Sequence, residues 1–66
     1  MKNRLKVERA IKNITQDELA KSIGVTRQAI NSIELGKYIP STVLALKLSA
    51  FFGKPVNEIF VLEESD

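Results

Sequence analysis

The 66-residue sequence has no cysteine and no histidine. Without cysteine there is no disulfide framework and no thiolate metal site. Without histidine the commonest general base, the commonest zinc ligand and every Ser–His or Cys–His arrangement are gone. No apolar run approaches the roughly 18 residues of a membrane span, and the N-terminal residues lack the apolar stretch of a signal peptide. A catalytic reading would rest on Ser, Thr, one Tyr and unclustered carboxylates. These absences point to a soluble, cytoplasmic, non-enzymatic protein with no cofactor, no metal and no membrane partner. At this length the expectation is one domain over 1–66, with a thin core that buries only about 60% of the unfolded surface.

A hydrophobic content of 44% is enough for a globular fold. The net charge is only +2, but it is unevenly distributed. Residues 1–37 carry eight bases against four acids, while residues 38–66 carry Lys47 and Lys54 against four acids. A basic first half points to a polyanionic partner.

Cap signals every ten to fifteen residues divide the chain into short helical segments. Val7, Ala10, Ile11 and Ile14 have helical spacing and read as the inner face of helix 1, which Asn13 closes. Thr15-Gln16-Asp17-Glu18 is a capping box, with two acids at the positive end of the next helix. Helix 2 therefore spans about Gln16 to Ile23, burying Leu19, Ala20 and Ile23, and ends at Gly24. After Val25, Thr26 caps helix 3, about Arg27 to Leu35, which turns Ile30 and Ile33 inward and stops at Gly36. Ser41 caps helix 4, about Thr42 to Phe52, ending at Gly53. Pro55 opens a last helix of about five residues carrying Val56, Ile59 and Phe60. Val61-Leu62 is a candidate short strand with Asn3 to Leu5 as its partner, and Glu63 to Asp66 should be mobile. The fold class is all-α: five short helices with a two-stranded ribbon joining the ends.

Residues 16–35 form a helix–turn–helix. Ala20 is small enough for helices 2 and 3 to cross closely, and Gly24 allows the tight turn. The rest of helix 3 presents Arg27, Gln28, Asn31 and Ser32, all able to hydrogen-bond, which is the surface a DNA-reading helix needs.

Thr15-Gln16-Asp17-Glu18-Leu19-Ala20, Gly24-Val25-Thr26-Arg27-Gln28-Ala29-Ile30, Ile33-Glu34 and Gly36-Lys37 together resemble the lambda-repressor-like helix–turn–helix domains. Those domains include phage repressors, Cro proteins and the small Xre-type regulators. Pro40-Ser41 and the Leu44 to Ile59 pattern extend the likeness over nearly the whole chain, at the length of the minimal regulators. The resemblance implies base contacts from Arg27, Gln28, Asn31 and Ser32. It implies phosphate contacts from Gln16, Thr26, Lys37, Tyr38 and Ser41, with Gln16 adding its amide to the exposed N–H groups of a helix N-terminus. It also implies a structural ion pair between Arg9 and Glu34. Leu35 departs from the Asn common at its position, and Ala29 from the usual Ser or Thr. Glu8 and Ile11 reverse a polarity pattern seen in many relatives.

Helix 4 needs only Leu44, Leu48 and Phe52 for the core. Val43, Leu46, Ala50 and Phe51, with Val61 and Leu62, are surplus apolar surface that a homodimer built on residues 43–62 would bury. Two-fold symmetry would set two recognition helices about 34 Å apart on a pseudo-palindromic site. The expected function is a sequence-specific, double-stranded-DNA-binding transcriptional repressor. The alternative is an antitoxin-like or scaffold module that uses the same helix–turn–helix to bind a protein.

Overall fold

The computed structural model describes residues 1–66. Its elements, in chain order, are β1 (Lys2–Asn3), α1 (Leu5–Lys12), α2 (Gln16–Ile23), α3 (Arg27–Glu34), α4 (Thr42–Phe52), α5 (Val56–Ile59) and β2 (Phe60–Val61). Five helices and a small antiparallel ribbon match the fold class read from the sequence.

Local chemistry sets most of the boundaries. Thr15 Oγ1 accepts from the Glu18 N–H at 3.0 Å, and the Glu18 carboxylate accepts from the Thr15 N–H at 3.0 Å, closing the capping box. Thr26 and Ser41 cap α3 and α4 by accepting from the N–H groups of Ala29 and Leu44. Asn13 ends α1 in the left-handed conformation at φ 56°, and Gly24 ends α2 at φ 77°. Asn tolerates that region through local hydrogen bonding, and Gly through its missing Cβ.

The core draws Leu5 from α1, Leu19, Ala20 and Ile23 from α2, and Ile30 and Ile33 from α3. Leu44, Leu48 and Phe52 of α4 close it from the other side, with Ile59 and Phe60 beneath. Ala20 is buried where α2 meets α3, as a close crossing requires. No buried polar side-chain atom lacks a hydrogen-bond partner.

Three features differ from the sequence expectation. First, α1 is rotated. Val7, Ala10 and Ile11 are exposed, Ile11 at 67%, and only Ile14, beyond the helix end, is half-buried. The inward positions at helical spacing are Leu5, which joins the apolar core, and Glu8 and Arg9, each held by a charged partner. Lys54 Nζ reaches Glu8 Oε2 at 2.9 Å, and Glu34 holds Arg9.

Second, the ribbon is shifted. Lys2 pairs with Val61 and Asn3 with Phe60, so Leu5 belongs to α1 and Phe60 to β2 rather than to the last helix. Asn3 marks the join: its Oδ1 accepts from the Leu5 N–H at 3.2 Å, and its Nδ2 donates to the Ile33 carbonyl at 2.8 Å. Third, the end of the chain is tied down. Asp66 accepts from the Met1 α-amino group at 3.0 Å and from the Glu63 N–H at 2.8 Å, forming a turn where mobility was expected.

Candidate nucleic-acid interface

Helix α3 has two chemically distinct faces. Ile30 and Ile33 are buried, whereas Arg27, Gln28, Asn31 and Ser32 together line a polar concavity with no apolar residue in it. Arg27 and Asn31, and Gln28 and Ser32, are four positions apart and Gln28 and Asn31 three, the spacings that share a helix face. Arg27 and Gln28 belong to the first turn, where side chains project beyond the helix end, and both are exposed. Arg27 makes no ion pair within the protein, although Arg9, Lys21 and Lys54 each do. Its guanidinium is therefore available to an external acceptor.

The concavity is flanked on both sides. At one margin Arg27 shares a surface hollow with Thr15, Gln16 and Asp17, at the N-terminus of α2. At the other, Gln28 and Ser32 share one with Thr26, Lys37 and Tyr38. The Thr26 hydroxyl already accepts from a backbone N–H, so its own proton is free to be donated outward. The same holds for Ser41, which lies apart at the start of α4. Leu35, at the end of α3, is 60% exposed and offers no polar group there.

Behind this surface lies a compact polar network. Arg9 grips Glu34 with two parallel bonds, Nε to Oε2 at 2.6 Å and Nη2 to Oε1 at 2.9 Å, and its Nη1 donates to the Ile14 carbonyl at 3.2 Å. The fork geometry is the strong form of an Arg–carboxylate pair. The Glu34 side chain is 7% exposed and that of Arg9 14%. The hydrogen bond to Glu34 raises the Arg9 pKa above its already high ordinary value. The pair thus fastens α1 to the end of the helix that carries the polar face.

Gln16 connects this pair to the surface. Its Nε2 donates to Glu34 Oε1 at 3.2 Å and to Asn31 Oδ1 at 3.1 Å. Both N–H groups of the amide are engaged within the protein, so a phosphate contact from this nitrogen requires one of the two bonds to be exchanged. The sequence reading did not foresee this link. Gln16 and Asn31 are fifteen residues apart, and only the α2–α3 crossing brings them together.

The surplus apolar residues fall into distinct places. Leu46, Ala50, Val61 and Leu62 are exposed, together with Val43 and Ile39. Leu46 also lines a shallow apolar groove with Ile39, Pro40, Ala45, Val56 and Phe60. The sequence reading placed neither Ile39, which lies in a connection, nor Val56, which it gave to the last helix, on this surface. Phe51 lies on a different shoulder of α4, half-buried, edge-on to Phe52 at 5.1 Å, with Lys12 Nζ over its ring at 5.4 Å. No helix is long and apolar enough to cross a membrane, and no cluster of three or more acidic residues is arranged to hold a metal ion.

Comparison with known proteins agrees with this geometry. The helix-turn-helix family profile matches residues 5–59, from the first turn of α1 to the end of α5. An uncharacterized HTH-type transcriptional regulator of Methanocaldococcus jannaschii is 52% identical over 66 residues, covering all of both chains. The uncharacterized HTH-type transcriptional regulator YgzD of Bacillus subtilis is 42% identical over 66 residues, again covering both chains fully. The ImmF control region 10 kDa protein of Bacillus phage phi105 is 34% identical over 65 residues, spanning 91% of this chain and 72% of the phage protein. With its paired helices, its polar α3 face and these relatives, the chain belongs to the helix-turn-helix family of DNA-binding transcription regulators, in its lambda-repressor-like, Xre-type form.

Proposed function

We propose that the protein is a cytoplasmic, sequence-specific repressor. It binds double-stranded DNA as a homodimer, with α3 of each copy in the major groove of a pseudo-palindromic operator. The observation that carries this reading is the concavity lined solely by Arg27, Gln28, Asn31 and Ser32, flanked by hydrogen-bonding groups on both sides. Arg27 suits guanine O6 and N7, and Gln28 suits adenine N6 and N7. Lys37, Tyr38, Thr26, Ser41 and the α2 N-terminus around Gln16 are assigned to phosphates, which fix register without reading sequence. Leu46, Ala50, Val61 and Leu62 form the dimer surface with Val43 and Ile39, and Phe51 stands at its margin. A dimer covering two grooves about 34 Å apart blocks a promoter by occupancy alone.

The test is selection of bound duplexes from a randomised library by the wild type and by an Arg27→Ala/Gln28→Ala variant. The wild type should return a palindromic consensus that the variant loses, and affinity should fall steeply with salt as counterions are released. A wild type that enriches no sequence would move the assignment to a protein-binding module. Leu46→Glu should convert a dimer at micromolar concentration into a monomer in sedimentation. A wild type that is monomeric there removes the dimer from the proposal.

A further inference from the structure

The polarity of the groove-facing surface is set from behind. Glu34, paired with Arg9, offers only acceptors, because an ionised carboxylate has no proton to donate. The Gln16 amide that meets Glu34 Oε1 must therefore turn its nitrogen, not its oxygen, toward α3. The same nitrogen lies 3.1 Å from Asn31, which must answer with Oδ1, since two donors would repel. Two amides that could each be turned either way in isolation are thus locked into one orientation by an ion pair. What remains of Asn31, one of the four residues lining the polar concavity, is Nδ2, whose two N–H groups have no partner in the protein.

We propose that Asn31 reads guanine through these donors, and that Gln16, held by the Arg9–Glu34 pair, is the positioning residue that sets this preference. The inference rests on the assignment of α3 to the major groove above. Asn ordinarily selects adenine by presenting oxygen and nitrogen side by side to N6 and N7. Here Oδ1 is turned toward helix α2. A pair of donors matches the adjacent acceptors O6 and N7 of guanine, and it opposes the N4 amino group of cytosine. The Arg9–Glu34 pair is then more than a clamp, because its charge pattern passes through Gln16 to the reading surface.

The experiment uses the full chain in randomised-duplex selection, comparing wild type, Gln16→Ala and Asn31→Asp. Asn31 is exposed and Gln16 half-buried, and neither substitution removes an atom of the Arg9–Glu34 bonds. The wild-type consensus should contain one position per half-site with guanine favoured over adenine by roughly tenfold, the discrimination of one good paired contact. Asn31→Asp keeps an acceptor for Gln16 but turns an acceptor into the groove, so that position alone should change to cytosine. Gln16→Ala frees the Asn31 amide to rotate, and the guanine-to-adenine ratio there should fall to within about twofold. If Asn31→Asp and Gln16→Ala weaken binding to all sequences alike with the consensus intact, Gln16 is only a phosphate contact and the inference is overturned. A wild-type adenine at the Asn31-sensitive position overturns it as well. Absence of any wild-type enrichment would remove the DNA-reading assignment, and this inference with it. Independently of DNA, the Gln16 side-chain amide protons should exchange with solvent more slowly than those of Asn31. The reverse order would overturn the proposed orientation while leaving the DNA reading untouched.

Discussion

Removing the Arg9 guanidinium should destabilise the protein severely. Glu34 would lose its two short bonds and keep only the Gln16 amide at 3.2 Å, with its side chain 93% hidden from solvent. Breaking one half of a buried ion pair costs about 3–5 kcal/mol, because the remaining charge is left uncompensated. A 66-residue chain has roughly 3–10 kcal/mol of total stability at typical per-residue values. Arg9→Ala should therefore remove roughly a third of the stability or more. The double replacement Arg9→Met/Glu34→Leu leaves no stranded charge and should be clearly more stable than Arg9→Ala alone. Urea unfolding followed by far-ultraviolet circular dichroism gives both values. Repeating it in about 1 M salt should change the wild type little, since a shielded pair is screened far less than an exposed one. The exposed Lys21–Asp17 pair, at 3.1 Å on α2, supplies the contrast and is worth well under 1 kcal/mol. An Arg9→Ala loss below about 1 kcal/mol, or a double variant as unstable as the single, would refute the burial argument.

Three further outcomes follow from the fold. The rotation of α1 predicts that Ile11→Gln stays within about 0.5 kcal/mol of wild type, whereas Glu8→Ala loses about 1–3 kcal/mol with its half-buried bond from Lys54; thermal melts showing the opposite ranking would return the apolar face of α1 to the core. Thr15→Ala removes the capping box and should lower stability by about 1 kcal/mol, with unchanged chemical-denaturation midpoints counting against the cap. The Met1 amino pKa is raised, chiefly by its hydrogen bond to Asp66 and then by Glu63, so the clasp is complete below the ordinary value of about 8 and opens as pH rises through the raised one. The Asp66 pKa is lowered, first by the Glu63 N–H and then by the Met1 amino group, so its contribution is present above the ordinary carboxylate value and fades as pH falls through the lowered one. Amide shifts of Glu63 and Asp66 in NMR should follow the Met1 titration, and shifts that ignore it mean the clasp is absent in solution.

The parts of the fold legible in the sequence are those governed within a few residues. Thr15 with Glu18, Gly24, Thr26 and Ser41 mark helix ends by direct bonds to neighbouring backbone, and their pattern needs no tertiary partner. The same short range made Arg27, Gln28, Asn31 and Ser32 recognisable as one face, because helical pitch alone aligns them. The face of α1 was not legible. Apolar spacing favours Val7 and Ile11 as the inner side, and the preference is reversed by Glu34 and Lys54, which lie 25 and 46 residues away from their partners Arg9 and Glu8. The ribbon register was missed for a related reason, since pairing between the two ends of the chain depends on how the helices bring them together.

Sequence by itself therefore determined the helix–turn–helix and the polar content of its second helix, since capping and periodicity are local properties. Tertiary structure alone decided which side of α1 is buried, which strand residues pair, and which way the Asn31 amide points. Each of those depends on a charge or an edge contributed from elsewhere in the chain. Orientation of an amide has no local signature, because its oxygen and nitrogen have nearly the same shape and only a distant partner of known charge distinguishes them.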